Sequence, residues 1–310
     1  MKAALLINPH AGGNRRSSVR RHLRDSFAAL GQTVEVDDPR CLPAVLGWLR
    51  DRGTELLAIS GGDGTLHSVV NAAVRAWSGA PLPRLLPLHG GTVGIASRAM
   101  SRTDQLARVR ALGRAAGPWI ERPIHTLRVG EQVAFNFGIG AFATLGRASA
   151  ARGGGRRGLA RLAVRAVGST VLGGGFAREA FAPWSGRVLV DGHLVVGAIG
   201  GLYGSALDRN ALGPLRGFYR VGQPDGRFRV LRIGPEPRSA LRSLVPFALG
   251  AGRGVDPRIT LRPAGTVELV PDGPSVVLLD GEPTTFDRPL TVTAGPVLWT
   301  VCPDDGDSVQ

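Results

Sequence analysis

At 310 residues with 43% hydrophobic side chains, the chain is long enough for about two domains and apolar enough to give each a core of its own. Arginine and lysine total 38 against 24 aspartates and glutamates, a formal charge of +14, yet Lys2 is the only lysine. That scarcity excludes a Walker A loop, which needs an internal lysine, and removes lysine nucleophiles and Schiff bases, so any phosphate must be held by backbone, hydroxyls, arginine or metal.

In chain order, residues 2–8, 33–36, 56–59 and 85–88 read as buried strands, with helices over 15–30, 41–52 and 65–77 between them. This alternation predicts a parallel sheet. Three of the strands run into glycine-rich turns. Leu5-Leu6-Ile7 leads to Asn8-Pro9-His10-Ala11-Gly12-Gly13, Leu56-Leu57-Ala58-Ile59 to Gly61-Gly62-Asp63-Gly64-Thr65, and Leu85-Leu86-Pro87-Leu88 to His89-Gly90-Gly91-Thr92. Open α/β sheets bind ligands at the carboxyl ends of their strands, so the three turns predict one crevice.

The middle turn is the most informative. Its glycines remove Cβ atoms that would hold a polyphosphate away and admit positive φ. A helix opening at Thr65 or Leu66 would add first-turn N–H groups and the positive end of its dipole. Asp63 stands among anion-seeking groups. It either holds a Mg²⁺ ion through water, orients a nucleotide hydroxyl, or caps the helix.

Past about residue 120 the pattern becomes strand-like: Thr126–Val129, Val133–Phe137, Arg187–Val190, Leu194–Ile199, Arg227–Ile233, Thr266–Val270, Val276–Leu279 and Leu290–Thr293. Helical stretches are limited to about 157–172 and 236–250, so this half is expected to be a mainly antiparallel β domain. Gly153-Gly154-Gly155 and Gly173-Gly174-Gly175 flank a basic segment, read either as a lip over a lipid site or as a loop-bounded helix. Asp280-Gly281-Glu282 lies between strand-like runs. Two carboxylates flanking a glycine suit one as metal or hydroxyl orienter and the other as base, or form a plain hairpin loop.

Asn8-Pro9 with Gly12-Gly13, then Gly61 to Leu66 with Val69-Val70-Asn71, then Gly91-Thr92, and finally Asp280-Gly281-Glu282 resemble the ordered signatures of the diacylglycerol kinase catalytic-domain family, which includes bacterial lipid kinases and sphingosine and ceramide kinases. The similarity spans nearly the whole chain. It implies ATP- and Mg²⁺-dependent phosphorylation of a lipid hydroxyl by an α/β N-terminal domain like that of NAD kinase and diacylglycerol kinase, followed by a β-rich domain. The divisions it implies are a nucleotide-binding domain over 1–120, a lipid-substrate domain over 121–295, and a segment 296–310 that returns toward the first domain.

The resemblance implies a nucleotide site of Asn8, Pro9, His10, Ala11, Gly12, Gly62, Asp63, Gly64, Thr65, Leu66, His67, Ser68 and Thr92, with Asp63 near the phosphates and Mg²⁺. It makes Glu282 the proton acceptor, with Asp280 close behind. It also likens Gln223-Pro224-Asp225-Gly226-Arg227 to the structural Mg²⁺ loop of bacterial members, with Asp225 as side-chain ligand and carbonyls from Gly222 and Arg227; the plain reading is an Asp-Gly hairpin turn. Two departures stand out. Gly94-Ile95 follows Thr92-Val93 where relatives carry an asparagine-containing pair, and His67-Ser68 stands where relatives often carry Asn-Glu. Three readings follow: a lipid kinase with an altered acceptor pocket, a nucleotide- or lipid-binding protein that has lost transfer, and, more distantly, an NAD kinase.

Arginines cluster at Arg15-Arg16, Arg20-Arg21-Arg24 and Arg152-Arg156-Arg157-Arg161-Arg165, where they would be drawn to an anionic membrane or form a solvated basic face. With 5% aromatics and no nucleic-acid module, a nucleic-acid partner is not expected. No apolar run approaches the roughly 20 residues that span a bilayer, and the first strand breaks at Asn8-Pro9 without a signal-peptide core. A cytoplasmic protein, soluble or peripheral, is expected, with a homodimer as one option for its assembly. Cys41 and Cys302 lack metal spacing and are expected to be buried free thiols.

Overall fold

The structure is a computed structural model. It describes residues 2–89, 109, 119–151, 165–170, 174–207, 226–238, 240 and 260–303. The chain divides into two units, one of residues 1–124 with 297–310 and the other of residues 125–296.

The first unit is built on a six-stranded sheet. Its order is β2 (Gly31–Glu35), β1 (Ala3–Ile7), β3 (Leu56–Gly61), β4 (Arg84–His89), β18 (Leu298–Pro303) and β5 (Trp119–Ile124). The first five strands are parallel and β5 pairs antiparallel to β18. Strands β1 and β3 are buried along their whole length, as expected where helices cover both faces of a parallel sheet. Leu5 and Ile7 pack with Leu23 and Phe27 of α1 (Ser17–Phe27). Helices α2 (Leu42–Asp51) and α3 (Asp63–Ala76) pack on each other and bury Leu46, Leu49, Leu66, Val69 and Val70.

Cys41 is exposed, against the expectation of a buried thiol. It ends the 3₁₀ turn Pro39–Cys41, and the apolar face that follows begins one residue later at Leu42.

The second unit is a sandwich of two antiparallel sheets. One runs β10 (His193–Leu194), β9 (Gly186–Val190), β14 (Thr266–Pro271), β17 (Leu290–Ala294), β6 (Leu127–Val129) and β7 (Gln132–Ala134). The other runs β13 (Thr260–Ala264), β12 (Phe228–Ile233), β11 (Gly201–Ser205), β8 (Asn136–Gly140), β15 (Ser275–Leu279) and β16 (Glu282–Phe286). Alternate residues of both sheets meet in one core, including Val188, Val190, Val267 and Leu269 from the first and Phe137, Ile139, Phe228 and Val230 from the second. Helix α4 (Ala141–Ala150) contacts β8, β11, β15 and β16, and its Ala141, Phe142 and Leu145 join Tyr203, Leu231 and Ile233 in a smaller cluster.

Two strand readings need correction. The run expected over Leu194–Ile199 is strand only as far as Leu194, because Gly197 adopts φ +88° and turns the chain out of the ladder. The run expected over Val133–Phe137 belongs to two strands in different sheets, β7 and β8, which part at Phe135. Of the helix expected over 157–172, residues 165–170 are described and helical.

Candidate active site residues

Strands β1, β3 and β4 are neighbours and parallel, so their C-terminal ends lie along one edge of the first sheet. The turns after β1 and β3 are joined by side chains. Asn8 Nδ2 donates to Thr65 Oγ1 at 2.8 Å, and the Asn8 main-chain N–H donates to the Ser60 carbonyl at 2.9 Å. Asn8 Oδ1 accepts from the His10 N–H at 2.9 Å, which curls the chain back after Pro9.

Beneath them sits Asn14, fully buried in the 3₁₀ turn Gly12–Arg15. Its Nδ2 lies 3.0 Å from three acceptors, the Asn8 carbonyl, the Ser60 carbonyl and Ser60 Oγ, and its Oδ1 accepts from Ser60 Oγ at 3.2 Å. No motif marked Asn14 or Ser60 in the sequence. The available signal was a polar pair within buried surroundings, and burial cannot be read until the sheet is assembled. Removing one member of such a cluster leaves buried acceptors without donors. Asn14→Ala is therefore expected to destabilise the first unit by about 2–4 kcal/mol in a denaturant titration, near the upper end for a single substitution. A loss under 1 kcal/mol would mean that the two turns hold together without it.

Helix α3 opens at Asp63, two residues earlier than the sequence suggested, and Gly62 is its N-cap with φ −92° and ψ −175°. Asp63 is thus the first helical residue and not the cap, a position where a carboxylate favours the helix dipole. The turn does not use positive φ: Gly61 ends the strand, Gly62 is extended and Gly64 is helical. Gly61 is required for another reason. A Cβ there would stand 2.5 Å from Cβ and Cγ2 of Thr65, so only glycine lets the first turn of α3 fold back onto the end of β3. Thr65, placed by that contact, is the residue that Asn8 holds.

The geometry brings together Asn8, His10, Gly62, Asp63, Gly64 and Thr65, with Leu66, His67 and Ser68 continuing along α3. Leu66 is buried in the core, whereas the Asn71 amide donates to the His67 carbonyl at 2.9 Å. Thr92 and the Gly94-Ile95 pair lie outside the described residues. Several arginines of the first basic cluster are engaged within the protein. Arg20 Nη1 donates to the Asn14 carbonyl at 2.7 Å, Arg15 Nε to the His10 carbonyl at 3.2 Å, and Arg20 and Arg24 both pair with Glu35. Of the second cluster, Arg152, Arg156, Arg157 and Arg161 lie outside the described residues, and Arg165 stacks 4.5 Å above the Phe176 ring.

In the second unit, Asp280-Gly281 is the two-residue turn of the β15–β16 hairpin, closed by the pair Leu279 and Glu282. Asp280 has φ +50° and Gly281 φ +98°, the positive-φ pair of a tight hairpin turn. Asp280 Oδ1 accepts from the N–H of Phe135 at 2.9 Å and of Asn136 at 2.8 Å, while Glu282 is exposed at the start of β16. Of the suggested metal loop, Gly222 and Asp225 lie outside the described residues and Arg227 is exposed just before β12. Among the described residues no three His, Cys, Asp or Glu side chains gather to cage a metal ion, and no helix is long and apolar enough to cross a membrane.

Residues 2–117 match the model of the diacylglycerol kinase catalytic domain. A crystal structure of a diacylglycerol kinase from Bacillus anthracis str. Sterne superposes with a TM-score of 0.67 at 14% identity, covering 96% of each chain. Two further structures of candidate diacylglycerol kinases from the same strain give 0.72 at 14% and 0.71 at 13%, with the same coverage. The likeness therefore extends in fold well beyond the matched domain. No curated protein sequence matches the chain. A diacylglycerol kinase-type domain implies ATP with a divalent metal, and the donors at the ends of β1 and β3 suit a polyphosphate. A Mg²⁺ ion fits beside Asp63 only as one that phosphate oxygens also hold, since the described residues supply no caging set.

Proposed function

We propose that the protein is an ATP-dependent lipid kinase that transfers the γ-phosphate of ATP to a hydroxyl of diacylglycerol, a sphingoid base or a ceramide-like lipid. The observation that carries this reading is the locked pair of turns, in which Asn8, Asn14, Ser60 and Thr65 hold two glycine loops at the first turn of α3. That first turn has N–H groups without partners in their own helix, and the dipole of a 14-residue helix adds positive potential there. Asp63 is at odds with an anion unless a cation lies between them, which fits Mg²⁺-nucleotide better than free phosphate.

Phosphoryl transfer asks a protein to position the reactants, neutralise charge and take one proton from the attacking hydroxyl. In this reading Asn8 to Gly12, Gly62 to Ser68 and Thr92 bind the nucleotide. Asp63 would hold Mg²⁺, which when bound would neutralise charge on the phosphates. Glu282 of the second unit takes the proton of the lipid hydroxyl. The second reading, a nucleotide- or lipid-binding protein without transfer, is favoured by Gly94-Ile95 and Ser68, which leave out an amide and carboxylates that relatives carry.

The test is thermal shift with ATP and Mg²⁺, followed by transfer of labelled phosphate to a panel of lipids and soluble alcohols. Labelled lipid, dependent on Mg²⁺, is the expected result. Stabilisation by ATP with no labelled acceptor would leave the binding protein as the correct reading.

We further propose that the basic segment 152–165 docks on an anionic membrane. Each arginine near such a surface contributes about 1 kcal/mol and is screened over roughly a Debye length. Liposome binding should therefore weaken as salt rises, and neutralising Arg156, Arg157 and Arg161 should reproduce the loss at low salt. Binding indifferent to both changes would mark a solvated basic face.

A further inference from the structure

Two hairpins of the second unit turn on the same dipeptide in the same conformation. In β9–β10 the turn is Asp191-Gly192, with φ of +52° and +77°; in β15–β16 it is Asp280-Gly281, with +50° and +98°. The likeness extends to the side chains. Asp191 Oδ1 accepts from the successive N–H groups of Gly265 at 2.8 Å and Thr266 at 2.9 Å, and the Asp191 N–H donates back to the Thr266 carbonyl at 2.9 Å. Asp280 Oδ1 accepts from the successive N–H groups of Phe135 and Asn136, and the Asp280 N–H donates back to the Asn136 carbonyl at 3.1 Å. Each aspartate thus clamps its turn to the start of another strand, β14 in one case and β8 in the other.

We infer that Asp280 is a positioning residue, which fixes the turn that carries Glu282, and is not itself the proton acceptor. The inference rests on the kinase reading above. The Asp280 carboxylate is engaged by backbone donors on both oxygens, Oδ2 also receiving the Phe135 N–H at 3.1 Å, so it is held against the protein's own main chain. The clamp is reinforced from the side. The Asn136 amide nitrogen lies 3.5 Å from Asp280 Oδ1, and Tyr203 donates its hydroxyl to Asn136 Oδ1 at 2.9 Å. Asn136 is buried, and Tyr203 is wedged against the Phe142 ring with centroids 5.3 Å apart. Glu282 follows Asp280 by two residues and is paired with Leu279, so whatever fixes the turn also fixes the backbone that carries Glu282. Asp191 has the same clamp but no carboxylate two residues on, since His193 stands there. It is a natural control.

The experiment compares Asp280→Asn, Asp191→Asn and Glu282→Gln in the full chain. Asparagine tolerates the left-handed conformation and can still accept at Oδ1, so both aspartate variants should fold. Two readouts are taken. In ¹H–¹⁵N spectra, the Phe135 and Asn136 amides should move in Asp280→Asn and stay in place in Asp191→Asn, and the Gly265 and Thr266 amides should do the reverse.

In steady-state transfer, Asp280→Asn should lower kcat about tenfold, short of the loss in Glu282→Gln, and leave the ATP KM within about twofold. Glu282→Gln should remove most of the turnover, and Asp191→Asn should match the wild type. The inference is overturned if Asp280→Asn loses as much turnover as Glu282→Gln or none at all, or if the Phe135 and Asn136 amides ignore the Asp280 substitution. If the native protein transfers no phosphate to any acceptor, the kinase reading fails separately, and the clamp stands or falls on the amide resonances.

Discussion

Glu282→Gln is expected to lower phosphate transfer by about 10²–10⁴-fold, the range that general-base catalysis supplies, while ATP affinity stays within about twofold. The substitution is nearly isosteric and the side chain is exposed at the start of β16, so no packing is lost and the hairpin pairing of Leu279 with Glu282 through the main chain is retained. What disappears is the proton acceptor. An ATP-binding variant that turns over at the native rate would show that another group takes the proton. Asp63 would then be the first to test, since it opens α3 beside the proposed nucleotide turns.

The second large effect is expected at the glycines that end β3, and the two positions should fail differently. Gly62→Val should abolish detectable ATP binding with little change in stability, because φ −92° and ψ −175° is extended backbone that valine adopts readily and only the approach of the nucleotide is blocked. Gly61→Ala should lose both. Its Cβ would sit 2.5 Å from Thr65, forcing the first turn of α3 away from β3 and breaking the bond from Asn8 to Thr65. Calorimetric titration with Mg²⁺-ATP, paired with thermal unfolding, separates the two outcomes. Full ATP affinity in both variants would remove the polyphosphate from this turn.

Much of the first unit is legible from local pattern because its signals are strong and short-range. Leu5-Leu6-Ile7 and Leu56-Leu57-Ala58-Ile59 are continuous apolar runs, as strands covered on both faces require, and each is followed by a glycine turn and an amphipathic helix. Right-handed β-α-β connection then leaves little freedom in their order, and the glycine turns fall on one sheet edge as a consequence. The second unit is less legible. Strand β11 is Gly-Leu-Tyr-Gly-Ser and β16 is Glu-Pro-Thr-Thr-Phe, both poor in the β-branched alternation that marks a strand, and both are strands because antiparallel neighbours pair with them. Helix α4 follows β8 through Gly140 and shows itself only once the outer face of the second sheet needs covering.

The sequence by itself determined that an α/β domain with glycine-rich turns comes first and that a β-rich half follows, since both depend on residue types within a few positions of one another. Tertiary structure alone decided what the polar residues do. Asn14 and Ser60 are 46 residues apart and Asp280 and Phe135 are 145 apart, and they meet only when strands from distant parts of the chain are registered side by side. A buried amide or carboxylate must find partners wherever the fold leaves N–H and C=O groups unpaired, and those partners are set by strand register and not by spacing in sequence.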